Sequence, residues 1–167
     1  MTTTKLKIRV DGDPCLRKKS SPVEDFGPAE HMLVNLMIDA MYEANGVGLA
    51  APQVGINKRI FVIDIGEGPI IIINPKILKQ EGSICCEEGC LSVPQIAIPI
   101  SRPERIQVQY QDPQNKTIKK WFEGLMARAF LHELDHLDGK LIVDYATDED
   151  LNKYKEQLDK IHASAKL

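Results

Sequence analysis

A chain of 167 residues matches the roughly 100 to 200 residues of one domain and is long enough to enclose a core. Apolar residues at 43% and charged residues at 27% exclude collagen-like, coiled-coil and disordered classes, and 21 Lys and Arg against 24 Asp and Glu (net charge -3) exclude the basic excess of a nucleic-acid module. Apolar runs such as Ile70 to Ile73 fall far short of the roughly 20 residues of a membrane span, and the polar start Met1 to Lys7 has no signal-peptide core, so the expected location is the cytoplasm.

Lys7 to Val10 reads as a short extended segment, and Asp11-Gly-Asp-Pro14 as a turn. From Pro28 the apolar spacing becomes helical. Leu33, Leu36, Met37, Ala40 and Met41 form one stripe, and the helix should stop near Asn45-Gly46. The glycines and proline of Gly46-Val-Gly-Leu-Ala-Ala-Pro-Gln-Val-Gly55 predict a defined loop that lets backbone approach something closely. Ile60 to Ile65 and Ile70 to Ile73 flank Gly66-Glu-Gly-Pro69 as two buried strands around a turn. Cys85 to Pro99 is less regular, with Pro94 and Pro99 predicting an edge strand or loop. Ile106, Val108 and Tyr110 alternate with polar residues, Asp112-Pro-Gln-Asn115 turns, and Thr117 to Phe122 returns as a hairpin. Leu125 to Leu137 is an unbroken helix with Gly139 at its C-terminal cap, and Asp148 to about His162 is a surface helix with Leu151, Tyr154, Leu158 and Ile161 on its apolar stripe. Hairpins and separate helices point to α+β: a single domain over residues 1–167, with antiparallel sheets around a central helix and a C-terminal surface helix.

The chemistry concentrates in His132-Glu-Leu-Asp-His136. Spacing of i, i+4 on a helix puts both imidazoles on one face, where they can share a metal, and Glu133 can reach a water beside the ion without being a ligand. Two surface histidines on an amphipathic helix would give the same pattern by coincidence, but the chain has only four histidines and two stand here. A catalytic site usually needs a third protein ligand. The long metzincin pattern fails, because Ile142 stands where a third His belongs. Glu156 is a formal candidate amid the charged face of the last helix. Cys90 offers a thiolate, with Gly89 before it letting backbone come close, although a buried structural thiol would look the same. Cys85, Cys86 and Cys90 lie within six residues, and four cysteines are too few for a disulfide scaffold in a chain this long, so metal or redox chemistry in a reducing compartment is expected.

Three segments together resemble the signature motifs of the peptide deformylase family: Gly46-Val-Gly-Leu-Ala-Ala-Pro-Gln-Val-Gly55, Glu87-Glu-Gly-Cys-Leu-Ser-Val-Pro94 and His132-Glu-Leu-Asp-His136-Leu-Asp-Gly139. Gly12-Asp-Pro-Cys-Leu-Arg17 and Ala127-Arg-Ala-Phe130 extend the likeness over nearly the whole chain. The resemblance implies hydrolysis of the formyl group from the N-terminal methionine of newly made polypeptides, with release of formate. It also implies one divalent metal ion on Cys90, His132 and His136, Fe(II) by preference, with Zn(II), Ni(II) or Co(II) as alternative occupants. Glu133 would be the general base and then the general acid, and the Gln53 amide with the Leu91 N-H would face the developing oxyanion. From its residue type alone Gln53 reads as a loop residue satisfying nearby backbone. Val47, Gly48 and Gly89 would border an extended substrate peptide, and Cys86, Leu125, Ala129 and His132, with Val47, would wall the methionine pocket. The partners implied are N-formylated peptides and nascent polypeptides, and with them the ribosome; no nucleic-acid or membrane contact is implied.

The chain departs from the family pattern in three places. Leu131 stands where Gln commonly precedes the first metal histidine, Gln95-Ile-Ala-Ile-Pro-Ile100 is nearly all apolar where some bacterial members carry an arginine, and Cys85-Cys86 adds two thiols. Two rival readings follow from the residues themselves. One is a small zinc peptidase using Glu156 in place of Cys90; the other is a binding protein with a closed structural zinc on Cys86, Cys90, His132 and His136.

Overall fold

A computed structural model describes residues 5–166; of the polar start read above, residues 1–4 lie outside the described residues. The first helix, α1 (Pro28–Glu43), ends as its spacing predicts. Its buried face is Val34, Met37, Ala40 and Met41, with Leu33 and Leu36 half-buried, so the stripe is rotated slightly from the one expected. Strands β1 (Gly48–Ala50), β2 (Ile60–Ile63), β3 (Ile70–Glu81), β6 (Arg105–Gln111) and β7 (Thr117–Glu123) form an antiparallel sheet in the order β1-β2-β3-β6-β7. Strands β4 (Ile84–Cys90) and β5 (Val93–Arg102) pair as a separate two-stranded sheet. Helix α2 (Gly124–Leu137) follows β7 directly, and α3 (Asp148–Lys153) and α4 (Lys155–Ser164) close the chain.

Strand β2 is buried on both faces because both are covered. Successive side chains point to opposite sides of a sheet. Phe61 and Ile63 face α2, packing with Met126, Phe130 and Leu137, whereas Ile60 and Val62 join Val34, Met37 and Met41 of α1. The Phe61 ring meets Phe130 edge-on at 5.1 Å, which seats α2 firmly against the large sheet. The alternation of the predicted β6–β7 hairpin is seen in full register, from Arg105 opposite Glu123 to Gln111 opposite Thr117.

Four regions differ from the sequence reading. Gly48–Ala50, within the stretch read as a loop, is strand β1, and β3 runs on past Ile73 to Glu81. Cys85 to Pro99 is a paired hairpin, irregular only at a register shift between Glu88 and Cys90, and its prolines are tolerated because both strands of a two-stranded sheet are edges. Its apolar residues have a reason as well: Ile96, Ile98 and Ile100 are buried against Ile142, Leu158 and Ile161 in a core of their own. The C-terminal helix is broken at Tyr154, whose φ of -105° and ψ of 11° leave the helical region, so that α4 turns its Leu158 and Ile161 onto that hairpin core. Gly139 caps α2 as expected, at φ 75°, and a Cβ there would sit 2.6 Å from the Arg17 carbonyl.

Candidate active site

Helix α2 presents His132, Glu133 and His136, while the end of β4 presents Cys90. One ligand atom from each of Cys90, His132 and His136 lies within 4.8 Å of the other two, and Cys90 Sγ stands 3.3 Å from His136 Nε2. Zinc-type bond lengths of about 2.0 Å to nitrogen and 2.3 Å to sulfur put tetrahedral ligand atoms roughly 3.5 Å apart, so the set has the size of a single-ion centre. Its chemistry fits as well, since a thiolate and two imidazoles suit borderline divalent ions. Cys86 and Glu156 are not in the cluster. Cys86 lines a neighbouring cavity, and Glu156 is exposed beside Lys160. Cys90 is therefore the residue that completes the cluster with the two histidines, and neither rival ligand set is assembled among the described residues.

The His132 ring is oriented by Glu88, whose Oε1 lies 2.9 Å from Nδ1, so Nε2 faces the cluster. Burial disfavours charge on His132, but Glu133, Cys90 and Glu88 outweigh it and hold its pKa well above the usual histidine range. This acidic surrounding favours a positive charge, which a cation held by Cys90, His132 and His136 would supply. His136 is driven the other way, by burial first and then by the His132 charge, so it is a neutral imidazole. Its Nδ1 is buried without a partner among the described residues.

Glu133 is 4% exposed, and burial pushes its carboxyl up to about 7, against smaller opposing pulls from His132 and Arg102. Oε1 has no hydrogen-bond partner among the described residues, and Oε2 lies 4.0 Å from His132 Nε2. A carboxyl poised near neutrality beside the ligand cluster is suited to proton transfer. Gly48 of β1 makes room for it, since a Cβ there would fall 2.5 Å from Glu133 Oε2.

A cavity of about 540 Å³ opens in front of the cluster. Val47, Gly48, Gln53, Gly89, Cys90, Leu91, Leu125, Ala129, His132 and Glu133 all line it, so most of the residues singled out from the sequence meet there. Cys86 does not. It borders an adjoining cavity of about 710 Å³ that shares Glu87, Leu125 and Arg128 with the first. Gln53 is buried in the turn after β1, its Oε1 accepting from the Ala50 N-H at 2.9 Å and its Nε2 donating to Ser92 Oγ at 3.0 Å, with Cys90 Sγ at 3.8 Å. Its amide is thereby aimed at the cluster.

Sequence reasoning passed over the residues that brace the site. Arg102 donates to Glu88 through Nε at 2.6 Å and Nη2 at 2.8 Å, and to Asp135 through Nη1 at 3.0 Å; Tyr145 also donates to Asp135, at 2.6 Å. Burial would raise the Glu88 carboxyl, yet the bonds from Arg102 and His132 bring it down to about 2. Two signals pointed this way. Glu88 stands two residues before Cys90 on one strand, and Arg128 stands one helical turn before His132. Leu131, where the family commonly has Gln, packs against the core shared by the large sheet and α2, and Glu88 supplies the polar contact to His132.

An α+β fold that sets a cysteine sulfur and the two imidazoles of an H-E-x-x-H helix around one point, beside a buried carboxyl, defines a single-metal hydrolase. The model of the polypeptide deformylase family matches residues 5–152, and the chain belongs to that family. It is 48% identical to the peptide deformylase of Caldicellulosiruptor bescii over 159 residues, covering 93% of this chain and 96% of that one. Among solved structures, the peptide deformylase of Thermotoga maritima superposes with a TM-score of 0.85 at 46% identity, covering 87% of this chain and 99% of that chain. The peptide deformylase of Legionella pneumophila gives 0.90 at 41% identity, covering 94% and 95%. The chain is thus a metal-dependent hydrolase that removes the N-formyl group from nascent polypeptides. No helix among the described residues is long and apolar enough to cross a membrane.

Proposed function

We propose that residues 1–167 work as one catalytic domain in which Cys90, His132 and His136 hold Fe(II), with Zn(II), Ni(II) or Co(II) as competent substitutes. The observation that carries this reading is the three-ligand cluster with Glu133 beside it, Oε2 lying 4.0 Å from His132 Nε2, where Cys90, His132 and Glu133 line an open cavity. An ion bound there supplies Lewis acidity that makes water nucleophilic near neutral pH. Glu133 takes the proton of the attacking water and returns it to the leaving amine, so formate departs as the new N-terminus is protonated. The Gln53 amide and the Leu91 N-H donate to the former formyl oxygen as negative charge develops on it. The methionine side chain runs between Val47, Leu125 and Ala129, while the backbone of Gly48 and Gly89 borders the peptide. Nascent chains are met in the cytoplasm as they leave the ribosome.

The test is anaerobic release of formate from formyl-Met-Ala-Ser, with metal content measured on the same sample. Glu133→Ala should keep its metal and lose about 10²- to 10⁴-fold in turnover. Activity indifferent to chelators, or a Glu133→Ala enzyme with half its turnover, would overturn the mechanism. Fe(II) enzyme should also fail in air sooner than Zn(II) enzyme, because zinc has no accessible redox change.

A further inference from the structure

The ligands come from two elements that the fold must hold in register: α2 carries both histidines, and the β4–β5 hairpin carries Cys90. One side chain of α2 joins them at three points. Arg128 Nη1 donates to Glu88 Oε2 at 2.5 Å and to the Ile100 carbonyl at 3.0 Å, and Nη2 donates to the Ile84 carbonyl at 2.8 Å. Ile84 and Glu88 belong to β4 and Ile100 to β5, so the guanidinium grips both strands. Its side chain is 12% exposed even though it stands between the two cavities.

Glu88 is the hinge of this arrangement. Its Oε1 faces His132 Nδ1 and accepts from Arg102 Nη2, while Oε2 accepts from Arg102 Nε and from Arg128. With both oxygens pinned, the carboxylate cannot rotate away from the His132 ring. Arg102 fixes Glu88 from within the hairpin, and Arg128 fixes it from the helix that bears His132. Both terminal nitrogens of Arg128 are engaged by hairpin acceptors, which argues against a role in gripping substrate. A planar fork serves these divergent acceptors from two nitrogens, whereas a lysine in its place would have to serve them from one.

We propose that Arg128 is a positioning residue of the metal centre: by clamping the hairpin onto α2 through Glu88 and two strand carbonyls, it sets the orientation of His132 and the separation of Cys90 from the two histidines. This rests on the reading of Cys90, His132 and His136 as the ligands.

The experiment loads wild-type protein, Arg128→Met, Arg128→Lys, Glu88→Gln and the Arg128→Met/Glu88→Gln double variant with Co(II). It follows release of the ion to a chelator, together with the thiolate-to-cobalt absorption band and the melting temperature of each metal-free protein. Loss of a group that orients a metal ligand commonly weakens metal binding 10- to 100-fold. Because Arg102 remains on Glu88, release from Arg128→Met should quicken about tenfold, with a changed absorption band. Arg128→Lys should lie between it and wild type. The double variant should fall short of the product of the single effects, because both act through Glu88. A metal-free melting temperature that drops while cobalt release and absorption stay within about twofold of wild type would reduce Arg128 to a plain structural tie and overturn the proposal. If Arg128→Met does not fold, Arg128→Lys decides, and wild-type release from it has the same consequence. Wild-type protein that takes up no cobalt would overturn the ligand reading itself, an outcome separate from failure of the variants.

Discussion

Replacing Gly48 with alanine should disable the enzyme while leaving its metal in place. The added Cβ would lie 2.5 Å from Glu133 Oε2, 2.9 Å from its Cδ and 3.1 Å from its Cγ, against the 3.4 Å or more of ordinary contact. Gly48 has no left-handed φ, so the backbone itself accepts alanine and the effect isolates the packing. Relief requires the carboxylate to retreat by most of an ångström, and a displacement near 1 Å from productive geometry costs about 10²-fold in rate. If instead the backbone of β1 yields, overpacking should cost about 1–3 kcal/mol of stability. Formate release from formyl-Met-Ala-Ser, metal per chain and the melting temperature separate the two routes. The expected result is a fall in kcat of about 10²-fold at full metal occupancy. In a Glu133→Ala background the same substitution should add nothing, since the side chain it strikes is gone. Gly48→Ala retaining more than a third of wild-type kcat would show that Glu133 is not held by this contact, and a further large loss in the Glu133→Ala background would show that Gly48 acts by another route.

Among the cysteines, Cys90→Ala should lose the metal on dialysis, whereas Cys85→Ser and Cys86→Ala should keep it, because neither belongs to the ligand cluster; metal per chain decides, and loss from Cys86→Ala would misplace the thiolate. The Glu88 carboxyl, held down to about 2 from an ordinary 4.5, gives stability that is complete above pH 4.5 and drains away as pH falls toward 2. That contribution is on the order of 3 kcal/mol, so urea midpoints of the metal-free protein should fall between pH 5 and 3 more steeply than those of Glu88→Gln; parallel curves would refute it. Burial, with Asp13 beside it, pushes the Cys15 thiol up to about 11, so at pH 8 it should alkylate on the order of 100-fold more slowly than an unperturbed thiol. Mass spectrometry against the exposed Cys85 and Cys86 reads this directly, and equal rates would contradict it.

What the sequence by itself determined is what depends on spacing along one element. His132 and His136 share a face because a helix repeats every 3.6 residues, and Gly139 marks the helix end because the turn there needs a positive φ. The β6–β7 hairpin follows from alternation and a four-residue turn. Periodicity failed where chain neighbours are not the deciding partners. The β4–β5 hairpin looked irregular because its apolar residues answer to Ile142, Leu158 and Ile161, more than 40 residues away, and the break at Tyr154 serves that same contact. The bracing of the site was beyond local reading for the same reason: Glu88 meets His132 across 44 residues, Arg128 meets Glu88 across 40 and Gln53 meets Ser92 across 39. Such pairings are set by strand register and by which faces of α2 and the hairpin meet. Burial, which raises Glu133 and leaves no room for a Cβ at Gly48, exists only once those faces have closed.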